Sequence, residues 1–130
     1  MTSRITHWIG GKHWTGTAER HGEVTNPATG AVTSTVDFAS GATVADAVAA
    51  AKAAFPAWRD TSITRRTQVM FAFRELLNAH KEEIAALITD EHGKTLGDAL
   101  GEVTRGLEVV EFACGVGHLM KGGFSEGVSN

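Results

Sequence analysis

The chain has 130 residues, 42% of them hydrophobic and 21% charged, with 12 Lys and Arg against 15 Asp and Glu. That balance excludes wholesale disorder, and a net charge of −3 is not that of a basic nucleic-acid binder. The single Cys excludes an internal disulfide framework and a Cys-rich zinc site, and no apolar run reaches the ~18 residues of a membrane span.

In chain order, the first segment reads as a hairpin. Ile5–Ile9 and Lys12–Trp14 flank Gly10-Gly11, and paired glycines supply the positive φ values of a two-residue turn. The Thr25–Gly30 segment, with Asn26 before Pro27 and Gly30 at its end, is turn chemistry. Ala31 to Ala39 alternates and is β-branched, which predicts a strand. Thr43 is the expected N-cap of a first helix, with Val44, Ala47, Val48, Ala51, Phe55 and Trp58 at helical spacing and Pro56 as its expected end. Ser62 or Thr64 caps a second helix, whose expected buried stripe is Val69, Phe73, Leu76, Leu77 and His80. A third helix is expected from Lys81, with Ile84, Leu87 and Ile88 inward and Gly93 as its stop. A fourth is expected from Leu96 to Leu119, striped by Leu100, Val103, Leu107, Val110, Cys114 and Gly117. Glycines at 97, 101, 106, 115 and 117 weaken that helix by roughly 1 kcal/mol each relative to Ala, so close packing against them is expected.

Most candidate constellations fail on spacing. Gly93-Lys94-Thr95 resembles the end of a phosphate-binding loop, but Ile88 stands where the loop needs its first glycine. Gly115-Val116-Gly117 resembles the start of a dinucleotide fingerprint, but Met120 occupies the third glycine's place and the segment ends a helix instead of opening one. The six histidines include no His-x-x-x-His pair, and the one pair a hairpin brings together, His7 and His13, has no nearby carboxylate or Cys. Cys114 lies on an apolar stripe, where a thiol is a packing residue. Arg105 is the informative exception. It has Glu102 and Glu108 as helical neighbours, which suits a surface ion pair, yet Val109 and Phe112 share its face. A guanidinium beside an apolar strip suits bidentate recognition of a carboxylate.

Four segments in this order, Trp8–Trp14, Asn26–Gly30, Ala54–Trp58 and Glu91–Thr95, resemble the N-terminal part of the aldehyde dehydrogenase superfamily. The Gly101–Cys114 helix and His118–Gly122 are similar to its CoA-acylating methylmalonate-semialdehyde dehydrogenase branch. The resemblance runs from about residue 5 to residue 130. It implies an α/β fold comprising a β-hairpin arm, a short strand and about four helices, without the cofactor-binding parallel sheet and the catalytic domain. Residues 1–130 then form the N-terminal part of one such domain, divided into a hairpin and strand region (1–42), a helical region (43–121) and a loop or truncated end (122–130). The resemblance implies a parent enzyme that oxidises malonate or methylmalonate semialdehyde with NAD and passes the acyl group to coenzyme A, as a dimer or tetramer. The pathway it implies is the breakdown of valine, pyrimidines or inositol, and the compartment is the cytoplasm. Arg105 matches the branch's carboxylate-binding Arg and is the one substrate-binding residue carried over. No catalytic, cofactor-binding or metal residue is carried over, because the resemblance places the nucleophilic Cys, the oxyanion-hole Asn and the cofactor's Gly-rich turn downstream. The isolated segment is therefore expected to bind neither cofactor and to be inactive. The alternative expectation is a short interaction subunit, or a truncated product, that associates with a full-length dehydrogenase. Neither nucleic acid nor membrane is expected as a partner.

Overall fold

The structure, a computed structural model, describes residues 3–123 and residue 126. Among them, five strands precede five helices: β1 (Ser3–Ile5), β2 (Trp8–Ile9), β3 (Lys12–His13), β4 (Arg20–Thr25), β5 (Val32–Phe38), α1 (Gly41–Asp60), α2 (Ile63–Ala79), α3 (Lys81–His92), α4 (Leu96–Cys114) and α5 (Val116–Leu119). This is the α/β segment anticipated above, with additional strands.

β2 and β3 form the tip of the expected hairpin, Trp8 opposite His13 and Ile9 opposite Lys12, while Ile5, expected in the same arm, belongs to β1 and pairs with Val36. Gly10 and Gly11 turn it at φ 60° and 77°, conformations an L side chain resists. The Asn26 side chain accepts from Ala28 N, and Gly30, at φ 71°, donates its N–H to Asn26 O, closing the turn between β4 and β5. β5 is the strand read from Ala31–Ala39, and it lies centrally in a sheet of order β1-β5-β4. It pairs antiparallel with β4 and parallel with β1, Arg4 lying opposite Thr35. Neither β1 nor β4 carries an apolar alternation, so local pattern misses both.

The helix boundaries correct three expectations. Ser40, three residues before Thr43, caps α1: its Oγ accepts from Thr43 N at 3.1 Å, and the two hydroxyls bond at 2.9 Å. Pro56 does not end α1. A proline removes one backbone donor, and the helix runs on to Asp60, where Thr61 caps it by donating N–H and Oγ1–H to Ala57 O. Ser62 caps α2, accepting from Arg65 N. α3 starts at Lys81 and stops at Gly93, which takes φ 83° and whose added Cβ would lie 2.8 Å from Pro27 Cγ. The long fourth helix breaks at Gly115, leaving α5 as one separate turn. Of the proposed 122–130 tail, residues 124, 125 and 127–130 lie outside the described residues.

α4 is the hub. Ala85 of α3 meets Ala99 and Val103 of α4, with Ile84, Ile88 and Leu100 packed around them. Of the stripe read on α4, Leu100 and Val103 face this core, and Leu107 and Cys114 are buried further along the helix. α2 presents a different face from the one expected. Ile63, Arg66, Thr67, Met70, Arg74, Leu77 and Asn78 are its half-buried positions, whereas Val69, Phe73, Leu76 and His80 stand exposed, so Leu77 alone of the expected stripe is covered. The helix carries apolar residues on two faces, and periodicity does not say which one is covered. Leu87 of α3 is likewise exposed rather than inward. Val44, Val48, Phe55 and Trp58 leave the apolar face of α1 open as well. The close packing expected around the glycines is partial: a Cβ at Gly117 would sit 3.4 Å from Ile63 Cγ1, at Gly115 3.4 Å from Phe112 O and at Gly101 3.7 Å from Arg105 Nη1, while Gly97 and Gly106 have nothing within 4 Å.

The accessible surface is 9843 Å², where a compact monomer of 13.7 kDa exposes about 6,600 Å². Among the described residues, no helix is long and apolar enough to cross a membrane.

Candidate functional site

Thr95 starts α4 by accepting from Asp98 N, and Asp98 in the first turn complements the helix dipole. Three turns along, Arg105 is exposed on the side away from the α3 core. Its guanidinium leans back over Gly101, where an added Cβ would stand 3.7 Å from Nη1. Val109 and Phe112, 67% and 70% exposed, continue the same face. The sequence pattern thus corresponds to a real strip: one cation followed by bare apolar surface.

The ion pair that spacing offers Arg105 does not form. Glu102 instead accepts from Lys94 Nζ at 2.5 Å, and the Lys94 side chain is 18% exposed. That hydrogen bond holds the Glu102 carboxyl below its ordinary range, against the opposing effect of burial, with smaller help from the charges of Lys94, Arg105 and His92. Among the described residues, Arg105 has no salt-bridge or side-chain hydrogen-bond partner. Such a guanidinium is available to a carboxylate, which it can hold with two parallel hydrogen bonds.

A second charged cluster has no counterpart in the sequence reading. The Asp37 carboxylate, inaccessible on β5, receives Arg4 Nε at 3.0 Å to each oxygen, Arg4 Nη2 and His21 Nδ1 at 3.0 Å. Arg4 Nη2 also donates to Gly16 O at 2.9 Å. These bonds, Arg4's first, hold the Asp37 carboxyl below the carboxylate range. The cluster binds β1, β4 and β5 together. Its members lie 16 and 33 residues apart, so no spacing rule finds it.

Cys114 is buried, as its stripe implies. It lines a cavity of about 290 Å³ between α2 and the α4–α5 break, with Thr67, Gly117 and His118 among its neighbours. No hydrogen bond joins its thiol to a base among the described residues. His7 and His13 each pack on a tryptophan, His7 tilted at 52° against Trp14 and His13 edge-to-face with Trp8, and no three-residue ligand set exists among the described residues. Gly115 and Gly117 lie at the end of α4 and within α5 and open no long helix, so they make no dinucleotide cradle.

The sequence profile described as "Aldehyde dehydrogenase family" matches residues 14–129. The chain is 44% identical over 130 residues to the acylating mitochondrial methylmalonate-semialdehyde dehydrogenase of Arabidopsis thaliana, covering 100% of this chain and 21% of that protein. It is 47% identical over 109 residues to the malonate-semialdehyde dehydrogenase of Pseudomonas aeruginosa, covering 84% of this chain and 22% of that one. A Sinorhizobium meliloti protein assigned to the methylmalonate-semialdehyde dehydrogenases and solved with NAD superposes with a TM-score of 0.90 at 46% identity, over 100% of this chain and 26% of that chain. The chain spans about a quarter of the length of the proteins it matches.

Proposed function

The chain belongs to the aldehyde dehydrogenase family, and from that premise we propose that it is the N-terminal segment of an NAD-dependent, CoA-acylating methylmalonate- or malonate-semialdehyde dehydrogenase. The observation that carries this reading is the strip on α4: Arg105, free of ion pairs among the described residues, leading into exposed Val109 and Phe112. A semialdehyde with a free carboxylate needs one cation in an otherwise apolar passage, since a lone carboxylate is costly to desolvate without a partner. The relatives' names supply the same substrate class.

The described residues supply neither a pyrophosphate cradle for NAD nor a nucleophile for the aldehyde. They contain no Gly-rich turn opening a helix and no thiol paired with a base. The segment's contribution is to bind and orient the carboxylate end of the aldehyde. The chemistry belongs to the remaining three-quarters of the parent, which also cover the apolar faces of α1 and α2. The parent acts as a homo-oligomer in the cytoplasm, in the breakdown of valine, pyrimidines or inositol. The 130-residue chain alone is inactive.

The test is Arg105→Ala in the full-length enzyme. Loss of a charge-assisted pair removes about 1.5–3 kcal/mol, so KM for malonate semialdehyde rises roughly tenfold or more while KM for propanal holds. Equal effects on the two aldehydes remove Arg105 from the carboxylate role. Turnover by the 130-residue chain with NAD, coenzyme A and malonate semialdehyde would refute its inactivity. The exposed apolar faces also support a second reading, a short subunit that docks on a full-length dehydrogenase. Co-purification of the two chains favours it, and a monodisperse monomer counts against it.

A further inference from the structure

We propose that Lys94 is a positioning residue for substrate specificity: it engages Glu102 and so keeps Arg105 open to the carboxylate. The proposal rests on the reading of Arg105 given above. Glu102 lies three residues before Arg105 on one helix, a spacing at which opposite charges meet. An exposed Glu in that position is a built-in competitor for the guanidinium, because it offers the same carboxylate the substrate does. Of the two acids at that spacing, Glu102 and Glu108, Arg105 leans back over Gly101 on the side of Glu102, and that competitor is occupied instead. Lys94 Nζ donates to Glu102 Oε1 at 2.5 Å, and Lys94 is the more sheltered partner, at 18% exposure against 43% for Glu102.

The backbone explains why Lys94 reaches. Gly93 leaves α3 at φ 83°, and Thr95 caps α4 two residues later. Lys94 therefore sits in the short link between antagonistic requirements, the end of one helix and the start of the next. From there its Nζ meets the Glu102 side chain, which stands two turns into α4. Arg105 meanwhile folds over Gly101, a position with no side chain to obstruct it. The cations divide the work: one holds the resident carboxylate and the other is left for the incoming one. Near Glu102, Arg105 and His92 add positive potential without contacting it, so Lys94 is the partner that anchors the acid.

Removing the Lys94 charge frees Glu102 to swing toward Arg105. In the full-length enzyme, Lys94→Met then raises KM for malonate semialdehyde about two- to fivefold, the strength of a surface ion pair that substrate must displace. KM for propanal and kcat for both aldehydes stay within twofold of the parent enzyme's values. Lys94→Met with Glu102→Gln restores KM for malonate semialdehyde, because the competitor is gone, and Lys94→Arg preserves it. If Lys94→Met does not give folded enzyme, Lys94→Gln is read by the same ratio of KM values. A change of equal size for both aldehydes, no change for either, or failure of the double variant to restore KM each overturns the proposal. Arg105→Ala run in parallel separates the two claims. A selective Arg105 effect with no Lys94 effect defeats only the positioning role. A non-selective Arg105 effect defeats the carboxylate reading, and the positioning role falls with it.

Discussion

Val103 and Val109 sit on one helix, six residues apart, at 7% and 67% exposure. Replacing each with Ala removes the same two carbons and gives the same gain in helix propensity, about 0.6 kcal/mol. Only burial differs. At Val103 the two carbons are lost from the α3–α4 core, about 0.8 kcal/mol each, with up to about 1 kcal/mol more for the cavity left beside Ala85 and Ala99. After the propensity gain, Val103→Ala destabilises the chain by about 1–2 kcal/mol. At Val109 only about a third of the transfer term is at stake, which propensity offsets, so Val109→Ala is neutral within about 0.5 kcal/mol. Urea unfolding of the 130-residue chain, followed by helical circular dichroism, measures both. Two variants within about 0.5 kcal/mol of each other would mean that α4 does not present these opposite faces. In the full-length enzyme the same pair reports on the proposed parent. If its other parts cover the Arg105 strip, the drop in Tm for Val109→Ala approaches that for Val103→Ala.

Asp37 gives a pH signature. Its folded carboxyl is held below the unfolded value by Arg4, so its stabilisation is present above the unfolded pKa of about 3.9 and is lost as pH falls through the folded pKa. Asp37→Asn is therefore less stable than the parent chain at neutral pH and loses less on acidification, and a stability series from pH 6 to pH 2 checks both. Gly97 and Gly106 face open space, so Gly97→Ala and Gly106→Ala each stabilise the isolated chain by about 0.5–1 kcal/mol in thermal melts. Gly117→Ala gains less, because its Cβ meets Ile63 Cγ1 at 3.4 Å.

What the sequence disclosed was mostly local. Gly10-Gly11, Asn26 to Gly30, Ser62 and Gly93 act on their own neighbours, and each turn or cap they announce is present. Pro56 misled because a proline deletes one hydrogen bond, and a 20-residue helix retains enough others. β1 and β4 escaped because their pairing depends on β5, a partner distant in sequence. The stripe on α2 was a true apolar face, but periodicity reports composition around an axis and not what lies against it. At the site, spacing found Arg105 and its strip. It could not find Lys94, whose partner is eight residues away across a helix end.

Gly93 has one further consequence. Its missing side chain lets Pro27, in the β4–β5 turn, approach the end of α3 more closely than any Cβ would permit, and the next residue is Lys94. The sheet therefore sets the angle from which the lysine departs. A side chain at position 93 would press on Pro27 and on the backbone next to Lys94. The turn and the helix end are thereby fitted to each other beside the lysine that pairs with Glu102.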